Sequence, residues 1–188
     1  AKLSGRPVRF CMTTEENFLT QCQHAAILDV KSGIMSDGTF VARSGRILLD
    51  SGAYSDASPL VAEKAGYRLP GPYKWRHLDI DCDCILTNTT PAGPYRGFGG
   101  TQATWASESQ IDIIARALGR DPMDLRMQNL KDLGEEYVAG ESAFDSDLRA
   151  GVKLVAERIG YGNRQCENGR GMGLSVGFKD AGGVNKPA

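Results

Sequence analysis

The stretch PAGPYRGFGGTQATWASESQIDIIARALGRDP, from Pro91 to Pro122, organises this chain. Its glycine-rich turn, with Gly97, Gly99 and Gly100 within four residues, leads directly into a run whose apolar residues recur at helical spacing. Glycine adopts positive φ readily and lets main-chain N–H groups approach a ligand without interference from a Cβ atom. A tight turn alone does not require three glycines, so this run predicts that the backbone comes close to another group.

Three helices are predicted after this loop from apolar spacing and from signals at their ends. Gly119 ends the first helix. Asp121 and Pro122 begin the second, as N-cap and first helical residue. The predicted bounds are 101–118, 122–130 and 145–159, the last with an inner stripe of Leu148, Val152, Val155 and Ile159.

The N-terminal half has the patterns of β structure. Ser36-Asp37-Gly38 lies between two apolar-rich runs and predicts a hairpin. Strict alternation over 76–88 predicts a half-buried strand with Asp79, Asp81 and Asp83 on its solvated face. The remaining predicted elements are a strand over 7–14, one helical turn after it, a helix over 57–69 and a strand over 172–178.

Together these elements predict an α+β fold with an antiparallel or mixed sheet. We expect β-hairpins in the N-terminal half and about three helices after the glycine loop. Residues 1–90 are mostly β, 91–160 hold the loop and helices, and 170–188 form a strand and a second glycine loop.

Composition narrows the function classes. The chain has 188 residues and a net charge of −1, so bulk charge indicates neither nucleic acid nor an anionic membrane as a partner. YRGFGG and GRGMG resemble RGG segments that bind RNA, but the net charge makes this a weak signal. No apolar run reaches the ~18 residues of a membrane span. Five cysteines without framework spacing favour a reducing, cytoplasmic compartment.

Metal ligation by the side chains is not expected. Cys82-Asp83-Cys84 offers two ligands on one face of a strand, which do not complete a zinc or iron–sulfur site. His24 and His77 flank no ligand pattern. The three aspartates of the same strand spread over roughly 13 Å, too far to surround one ion.

The residues of the glycine loop allow two interpretations. Successive N–H donors at a helix N-terminus bind anions, Arg96 adds positive charge, and Phe98 offers an aromatic wall to a planar ligand. Alternatively, Arg96 forms a local salt bridge and Phe98 fills the core. The spacing of GFGGTQ fits neither a Rossmann G-x-G-x-x-G motif nor a phosphate-binding P-loop.

The same residues resemble a known family. PxxxxYRGFGGxQ, a helix containing Glu108 and then LGRDPMDLRMQNL are similar to the molybdenum-cofactor-binding region of the xanthine dehydrogenase / aldehyde oxidase family of molybdenum hydroxylases. GRPVRF near the start, the Ser36-Asp37-Gly38 hairpin turn and the closing GRGMGLSVGF follow in the family's order. The resemblance covers essentially the whole chain.

The resemblance implies part of a large subunit that binds molybdenum through a pyranopterin, either molybdopterin or its cytosine dinucleotide. The implied reaction is hydroxylation of an aldehyde or aromatic N-heterocycle with water as oxygen source. Iron–sulfur clusters and FAD would lie on other domains or subunits, and these and the remainder of the large subunit would be the partners. The family's catalytic glutamate has no counterpart here, so we expect an inactive fragment. A non-catalytic binding or scaffold module of the same fold is the alternative.

Carried over by position, the resemblance also assigns site residues. Lys64 and Phe98 would contact the substrate, and a lysine at position 64 favours aldehydes over purines; otherwise Lys64 is an exposed helix lysine. Apart from the resemblance, the position of Glu108 two turns into the helix suggests that it reaches back and braces the glycine loop by hydrogen bonds. No residue is expected to bind the metal directly. The residues expected to border the cofactor are Tyr95, Arg96, Gly97, Phe98, Gly99, Gly100, Gly182 and Gly183.

Overall fold

A computed structural model describes residues 1–141, 143–162, 169–177 and 179. These residues form an α+β fold with a three-stranded mixed sheet, which confirms the predicted fold class. Three of the helices follow the glycine loop, as expected. The elements are α1 (Thr14–Thr20), β1 (Ala26–Ile34), β2 (Phe40–Gly52), α2 (Ser58–Arg68), β3 (His77–Leu86), α3 (Gly100–Ala117), α4 (Pro122–Asn129) and α5 (Leu148–Ile159).

The sheet has the order β1-β2-β3. β1 and β2 form the predicted antiparallel hairpin, with Asp29 opposite Arg46. β3 pairs with β2 in parallel, with Asp81 opposite Arg46. Because α2 carries the chain back to the start of the sheet, β3 must run in the direction of β2. The expectation of more than one hairpin was therefore wrong for the described strands.

The two faces of the sheet differ, as the alternation in β3 predicts. Ile80 and Cys82 are partly buried beneath the helices, whereas Asp79, Asp81 and Asp83 are exposed on the opposite face. There Arg46 reaches Asp83 at 3.5 Å, an exposed pair of little energetic weight. The glycine turn lies on the helical side, where it packs against α2.

Two apolar clusters form the core. The first lies between the sheet and helices α2 and α3, and the second lies where the later part of α3 meets α4 and α5. Each fully buried Leu, Ile or Val contributes about 1.5–3 kcal/mol to folding. The first cluster contains Ile47, Leu49, Val61, Ala62, Ala65, Leu69 and Ala103, and the second Phe40, Tyr73, Ile111, Ala115, Leu125, Leu130 and Val152.

Helix α4 is tied to the hairpin turn, 91 residues earlier in the chain. Asp121 caps α4 by accepting from the N–H of Met123 at 2.7 Å, as its Asp-Pro signal predicts. At the other end, Asn129 Nδ2 donates to Gly38 O at 3.0 Å, and Asn129 Oδ1 accepts from Phe40 N at 2.9 Å. These bonds fix the direction in which β2 begins.

Helix α5 differs in detail from its prediction. It begins at Leu148, after the N-cap Asp147, and its buried residues are Val152 and Ala156. The sequence placed Val155 on the inner stripe, but 54% of it is exposed. The helix face that meets the core runs through Val152 and Ala156 instead. None of the helices in the described ranges is long and apolar enough to cross a membrane.

Two predicted strands are absent from the described residues. Residues 7–13 have no regular structure, and α1 begins at Thr14. Their alternating apolar residues fit a strand, but no described strand lies beside them to supply hydrogen bonds. Residues 172–177 likewise form no strand; Leu174 and Val176 pack against the second cluster instead. Phe178 lies outside the described residues.

Candidate cofactor site

The segment that enters the glycine turn is fixed on both sides by backbone hydrogen bonds. Ala92 N donates to Ser51 O at the end of β2, at 3.0 Å. Cys22 N donates to Pro91 O, and Gly93 N donates to Cys22 O, both at 3.0 Å. The chain therefore reaches the turn from a defined position.

The turn itself has an unusual backbone. Gly97, Phe98 and Gly99 have φ values of 98°, 50° and 81°, three left-handed residues in succession. Phe98 N donates to Tyr95 O at 2.8 Å, and Gly100 N donates to Gly97 O at 3.0 Å. Left-handed φ costs about 1–2 kcal/mol for a residue with a Cβ atom, so Phe98 is held in a strained conformation. The surrounding structure must hold it there.

Several amide donors at this turn have no acceptor in the ranges that the structure describes. Within the described part of the chain, the N–H groups of Gly97 and Gly99 donate to no atom, and neither do those of Thr101 and Gln102 in the first turn of α3. Gly99 is itself buried. Unpartnered donors at the N-terminus of an 18-residue helix attract anionic oxygen, because the helix dipole adds to them.

The glycines are required by close contacts. A Cβ atom on Gly99 would lie 2.4 Å from Val61 O in α2, and one on Gly97 would lie 2.6 Å from Thr101 Cγ2. The turn is thus packed against α2 on one side and folded onto α3 on the other. This close approach of backbone to backbone explains part of the glycine content that the sequence left open.

Arg68, in the last turn of α2, holds the turn and was missed from the sequence. Its Nη1 donates to Gly97 O at 2.8 Å and to Phe98 O at 3.0 Å. The residue is 3% exposed. A single arginine at the end of a helix usually signals only a favourable dipole contact, so no sequence pattern pointed to this role.

The predicted loop side chains lie in different environments. Tyr95 is 62% exposed, and Arg96 is exposed and forms no ion pair with any described residue. The local salt bridge considered for Arg96 is therefore absent from the described region. Phe98 is partly buried and packs against the first core cluster. One part of the ring contacts the core and the rest is exposed.

Lys64 lies on α2 one turn before Arg68, on the helix face that meets the glycine turn. Its Nζ is 3.6 Å from Glu63 Oε1 and 5.3 Å from the centre of the Tyr67 ring. Only 15% of its side chain is exposed. The ordinary interpretation as an exposed helix lysine is therefore wrong. Gly182 and Gly183, the other predicted cofactor contacts, lie outside the described residues.

Glu108 does not brace the glycine loop, and that expectation was wrong. Its Oε2 accepts from Arg126 Nε at 2.8 Å, and its Oε1 accepts from the Tyr73 hydroxyl at 2.7 Å. Oε2 also accepts from Val176 N at 2.8 Å. Helical geometry explains the difference, because residue 108 is two turns along α3 and faces α4. The carboxylate anchors the chain segment around Val176 instead.

Electrostatics within this buried network follow from burial and pairing. Burial and the adjacent carboxylate raise the pKa of Tyr73 well above its usual value. Burial alone would lower the pKa of Arg126, but the Glu108 carboxylate outweighs it and the net shift is upward. The arginine therefore stays charged, and the tyrosine stays a hydrogen-bond donor.

A second buried arginine joins the sheet to the helices. Arg43, on β2, donates to Leu69 O at 2.9 Å and to Ser107 Oγ at 2.5 Å. Burial lowers its pKa to about 10. It fixes the end of α2 relative to α3, and the glycine turn lies between these two helices.

No described side-chain group is arranged to hold a metal. Among the described residues, no cluster of three or more His, Cys, Asp or Glu could bind one ion. Cys11, Cys22, Cys82 and Cys84 are free thiols. Burial raises the pKa of Cys82 to about 11, and burial also raises that of Cys84. The donors present at the glycine turn are instead neutral amides and one guanidinium, which suit the oxygen atoms of an organic anion.

Comparison with known proteins gives a family match. Residues 1–130 match the family described as molybdopterin cofactor-binding domain. The xanthine dehydrogenase molybdenum-binding subunit of Escherichia coli is 34% identical over 175 aligned residues, which cover 91% of this chain and 23% of that protein. The nicotinate dehydrogenase large molybdopterin subunit of Eubacterium barkeri is 31% identical over 162 residues, covering 83% of this chain and 38% of the relative.

A solved structure shows the same fold. Quinoline 2-oxidoreductase from Pseudomonas putida 86 superimposes with a TM-score of 0.72 at 30% sequence identity, covering 85% of this chain and 21% of that one. The chain thus spans well under half the length of the proteins it matches. The family match covers more than two thirds of the sequence and includes the glycine turn. The chain belongs to the molybdopterin cofactor-binding domain family.

Proposed function

We propose that this chain is part of the large subunit of a molybdenum hydroxylase that oxidises an aldehyde or an aromatic N-heterocycle, with water as the oxygen source. The observation that carries the proposal is the set of amide donors at the Gly97–Gly99 turn that have no acceptor among the described residues, in a chain of the molybdopterin-binding family. The similar proteins are named as dehydrogenases or oxidoreductases of xanthine, nicotinate and quinoline.

In this proposal the chain contributes binding and orientation. When bound, the cofactor supplies the two-electron redox chemistry of hydroxylation. The N–H groups of Gly97 and Gly99 donate to its anionic oxygen atoms, and the exposed guanidinium of Arg96 adds positive charge. Tyr95 and Gly100 border the same turn. Gly182 and Gly183 are proposed to approach from the C-terminal side.

Lys64 and Phe98 are proposed to face the substrate. Lys64 is mostly buried, so its charge acts in a region of low dielectric constant and can orient a polar substrate group. Phe98 packs against the core, which fixes its ring as a wall. The lysine favours an aldehyde. The proposal is tested by kcat/KM for an aldehyde and for an N-heterocycle in Lys64→Met and Lys64→Arg variants of the whole enzyme.

The partners in this proposal are the rest of the large subunit and domains or subunits that carry iron–sulfur clusters and FAD. Support comes from apolar side chains that this chain leaves exposed, which would be covered in a larger assembly. The cytoplasm is the proposed compartment, with no nucleic acid or membrane as partner. The exposed apolar residues near the N-terminus are Leu3, Val8, Phe10, Met12, Phe18 and Leu19.

The deciding experiment uses the complete reading frame, expressed with its partner subunits and an intact molybdenum-cofactor pathway. Mass spectrometry of the metal counts molybdenum per chain in the wild type, in Arg96→Ala with Phe98→Ala, and in the control Arg116→Ala on the exposed end of α3. We expect near-stoichiometric metal in the wild type and the control, and loss in the double variant. A wild type without molybdenum would overturn the proposal in favour of a non-catalytic module.

A further inference from the structure

The glycine turn needs an external constraint to keep its shape. Its three left-handed residues include Phe98, which is not a glycine. Its own hydrogen bonds, Phe98 N to Tyr95 O and Gly100 N to Gly97 O, leave the Phe98 carbonyl without a partner from within the turn. A short loop of this kind populates alternative conformations unless its carbonyls are bound elsewhere.

Arg68 supplies that constraint. One nitrogen, Nη1, donates to the carbonyls of both Gly97 and Phe98, at 2.8 and 3.0 Å. The guanidinium lies under the start of α3, since a Cβ atom on Gly100 would lie 3.1 Å from Nη1. Helix α2 presents this arginine from its last turn, and Val61 O packs 2.4 Å from the Cβ position of Gly99.

The consequence for the amide donors follows from peptide planarity. The Phe98 carbonyl and the Gly99 N–H belong to one planar trans peptide unit and point in opposite directions. Because Arg68 draws this carbonyl toward α2, the Gly99 N–H is directed away from α2. That N–H is one of the donors without an acceptor among the described residues. A hydrogen bond on the protein side of the peptide therefore sets the direction of the donor on the ligand side.

We propose that Arg68 is a positioning residue, which orients the Gly99 N–H toward an anionic group of the bound cofactor by holding the Phe98 carbonyl. Arg68 does not itself contact the ligand in this assignment. The inference rests on the proposed function for the identity of the ligand. The orientation of the peptide rests only on the contacts of this chain.

The test uses the full-length subunit with its partners, in Arg68→Met and Arg68→Lys variants. Lysine is the conservative replacement, because a single nitrogen makes both observed bonds and an ammonium can donate to two carbonyls. Arg126→Lys is the matched control, since it disturbs another buried arginine that contacts Glu108 and not the turn. Thermal unfolding temperatures are measured for all variants, so that effects on the site are compared with effects on the fold.

Two measurements distinguish the effect on the turn from the effect on cofactor binding. The first is the rate of tryptic cleavage after the exposed Arg96, followed by mass spectrometry in protein made without molybdenum-cofactor synthesis. The second is molybdenum retained per chain, with the Mo(V) electron paramagnetic resonance signal, in loaded protein. We expect Arg68→Met to be cleaved about tenfold faster and to retain molybdenum about tenfold less well, the size expected for a lost hydrogen bond to a charged group.

Recovery in Arg68→Lys, and wild-type behaviour of Arg126→Lys despite an equal or larger fall in unfolding temperature, would support the assignment. Unchanged cleavage and retention in Arg68→Met would overturn it. Losses that follow the unfolding temperature alike in Arg68→Met and Arg126→Lys would also overturn it, because they would show a structural role alone. If the wild type carries no molybdenum, the proposed function fails. Faster cleavage of Arg68→Met than of the wild type would still support Arg68 as the constraint on the turn.

Discussion

Arg126 and Glu108 form a buried ion pair, with 2.8 Å between Nε and Oε2 and side chains that are 0% and 7% exposed. The pair joins α4 to α3 beyond the glycine turn. Asp112 Oδ1 accepts from Arg126 Nη1 at 2.7 Å, but half of that carboxylate faces solvent. Glu108 is therefore the main buried partner of the Arg126 charge.

The first prediction concerns this pair. Arg126→Met should lower the free energy of local opening of α4 by about 3–5 kcal/mol, because it leaves the Glu108 carboxylate buried without its cation. Adding Glu108→Gln should restore at least about 1 kcal/mol, since the uncompensated charge is removed. Native-state hydrogen exchange of α4 amides in the full-length subunit measures both. A double variant less stable than Arg126→Met would contradict this account.

The second prediction compares two left-handed glycines. Gly119 has a φ of 64° and no atom within 4 Å of a Cβ position, so Gly119→Ala should cost about 1–2 kcal/mol from backbone strain alone. Gly99→Ala adds an overlap with Val61 O and should cost about 3 kcal/mol or more. Molybdenum retention should fall only in Gly99→Ala. Equal effects of the two changes on unfolding temperature and retention would argue against close packing at the turn.

The third prediction is a pH dependence at His24, which is buried and 2.7 Å from Ser58 Oγ at the start of α2. Burial lowers the pKa of His24 below its usual 6.5, and Asp50 opposes this only in part. Since the folded pKa is the lower one, stability is complete above about pH 6.5 and declines as the pH falls from there, where the unfolded chain binds a proton first.

The control is His24→Asn, which lacks the titrating ring. The unfolding temperature of the wild type should fall relative to that of His24→Asn between pH 7.5 and 5.5. Asp50 does not interfere, because the Thr87 hydroxyl and the Gly52 N–H lower its pKa and it titrates below this range. A difference between the two proteins that stays constant with pH would show that His24 does not titrate in this interval.

The fourth prediction concerns thiol reactivity. Because burial raises the pKa of Cys82 to about 11, its alkylation by iodoacetamide should accelerate about tenfold per pH unit from pH 8 to 10 without levelling off. Peptide mass spectrometry of the Cys82→Ser variant identifies the signal that belongs to Cys84. A rate that reaches a plateau below pH 9 would show a more acidic thiol than this environment produces.

The sequence predicted helices, strands and turns correctly where a few neighbouring residues determine the structure. The Asp121-Pro122 cap, the Ser36-Asp37-Gly38 turn and the alternation in β3 each fix structure within a few residues. The helix after the glycine loop was also found from its spacing alone. The wrong strand over 7–14 shows the limit, because alternation indicates a strand only when a neighbour is available to pair with it.

The contacts that hold the site could not be predicted from the chain alone. Arg68 and the turn it binds are about 30 residues apart, and Glu108 reaches Arg126 and Val176 rather than its own loop. Each depends on how α2, α3 and α4 pack, and no periodicity in the sequence encodes that packing. The glycines indicated that something comes close to the backbone. Only the fold shows that helix α2 is one of the groups that come close.

The bonds between Asn129 and the β1–β2 turn have a consequence for biosynthesis. The hairpin forms early in the chain, but Gly38 and Phe40 are tied by hydrogen bonds to a side chain about 90 residues later. On the ribosome, the β1–β2 hairpin therefore emerges long before the side chain that completes its hydrogen bonds. Folding dominated by such distant contacts is slow and exposes apolar surface. A chain built in this way cannot complete its first hairpin until α4 has been synthesised.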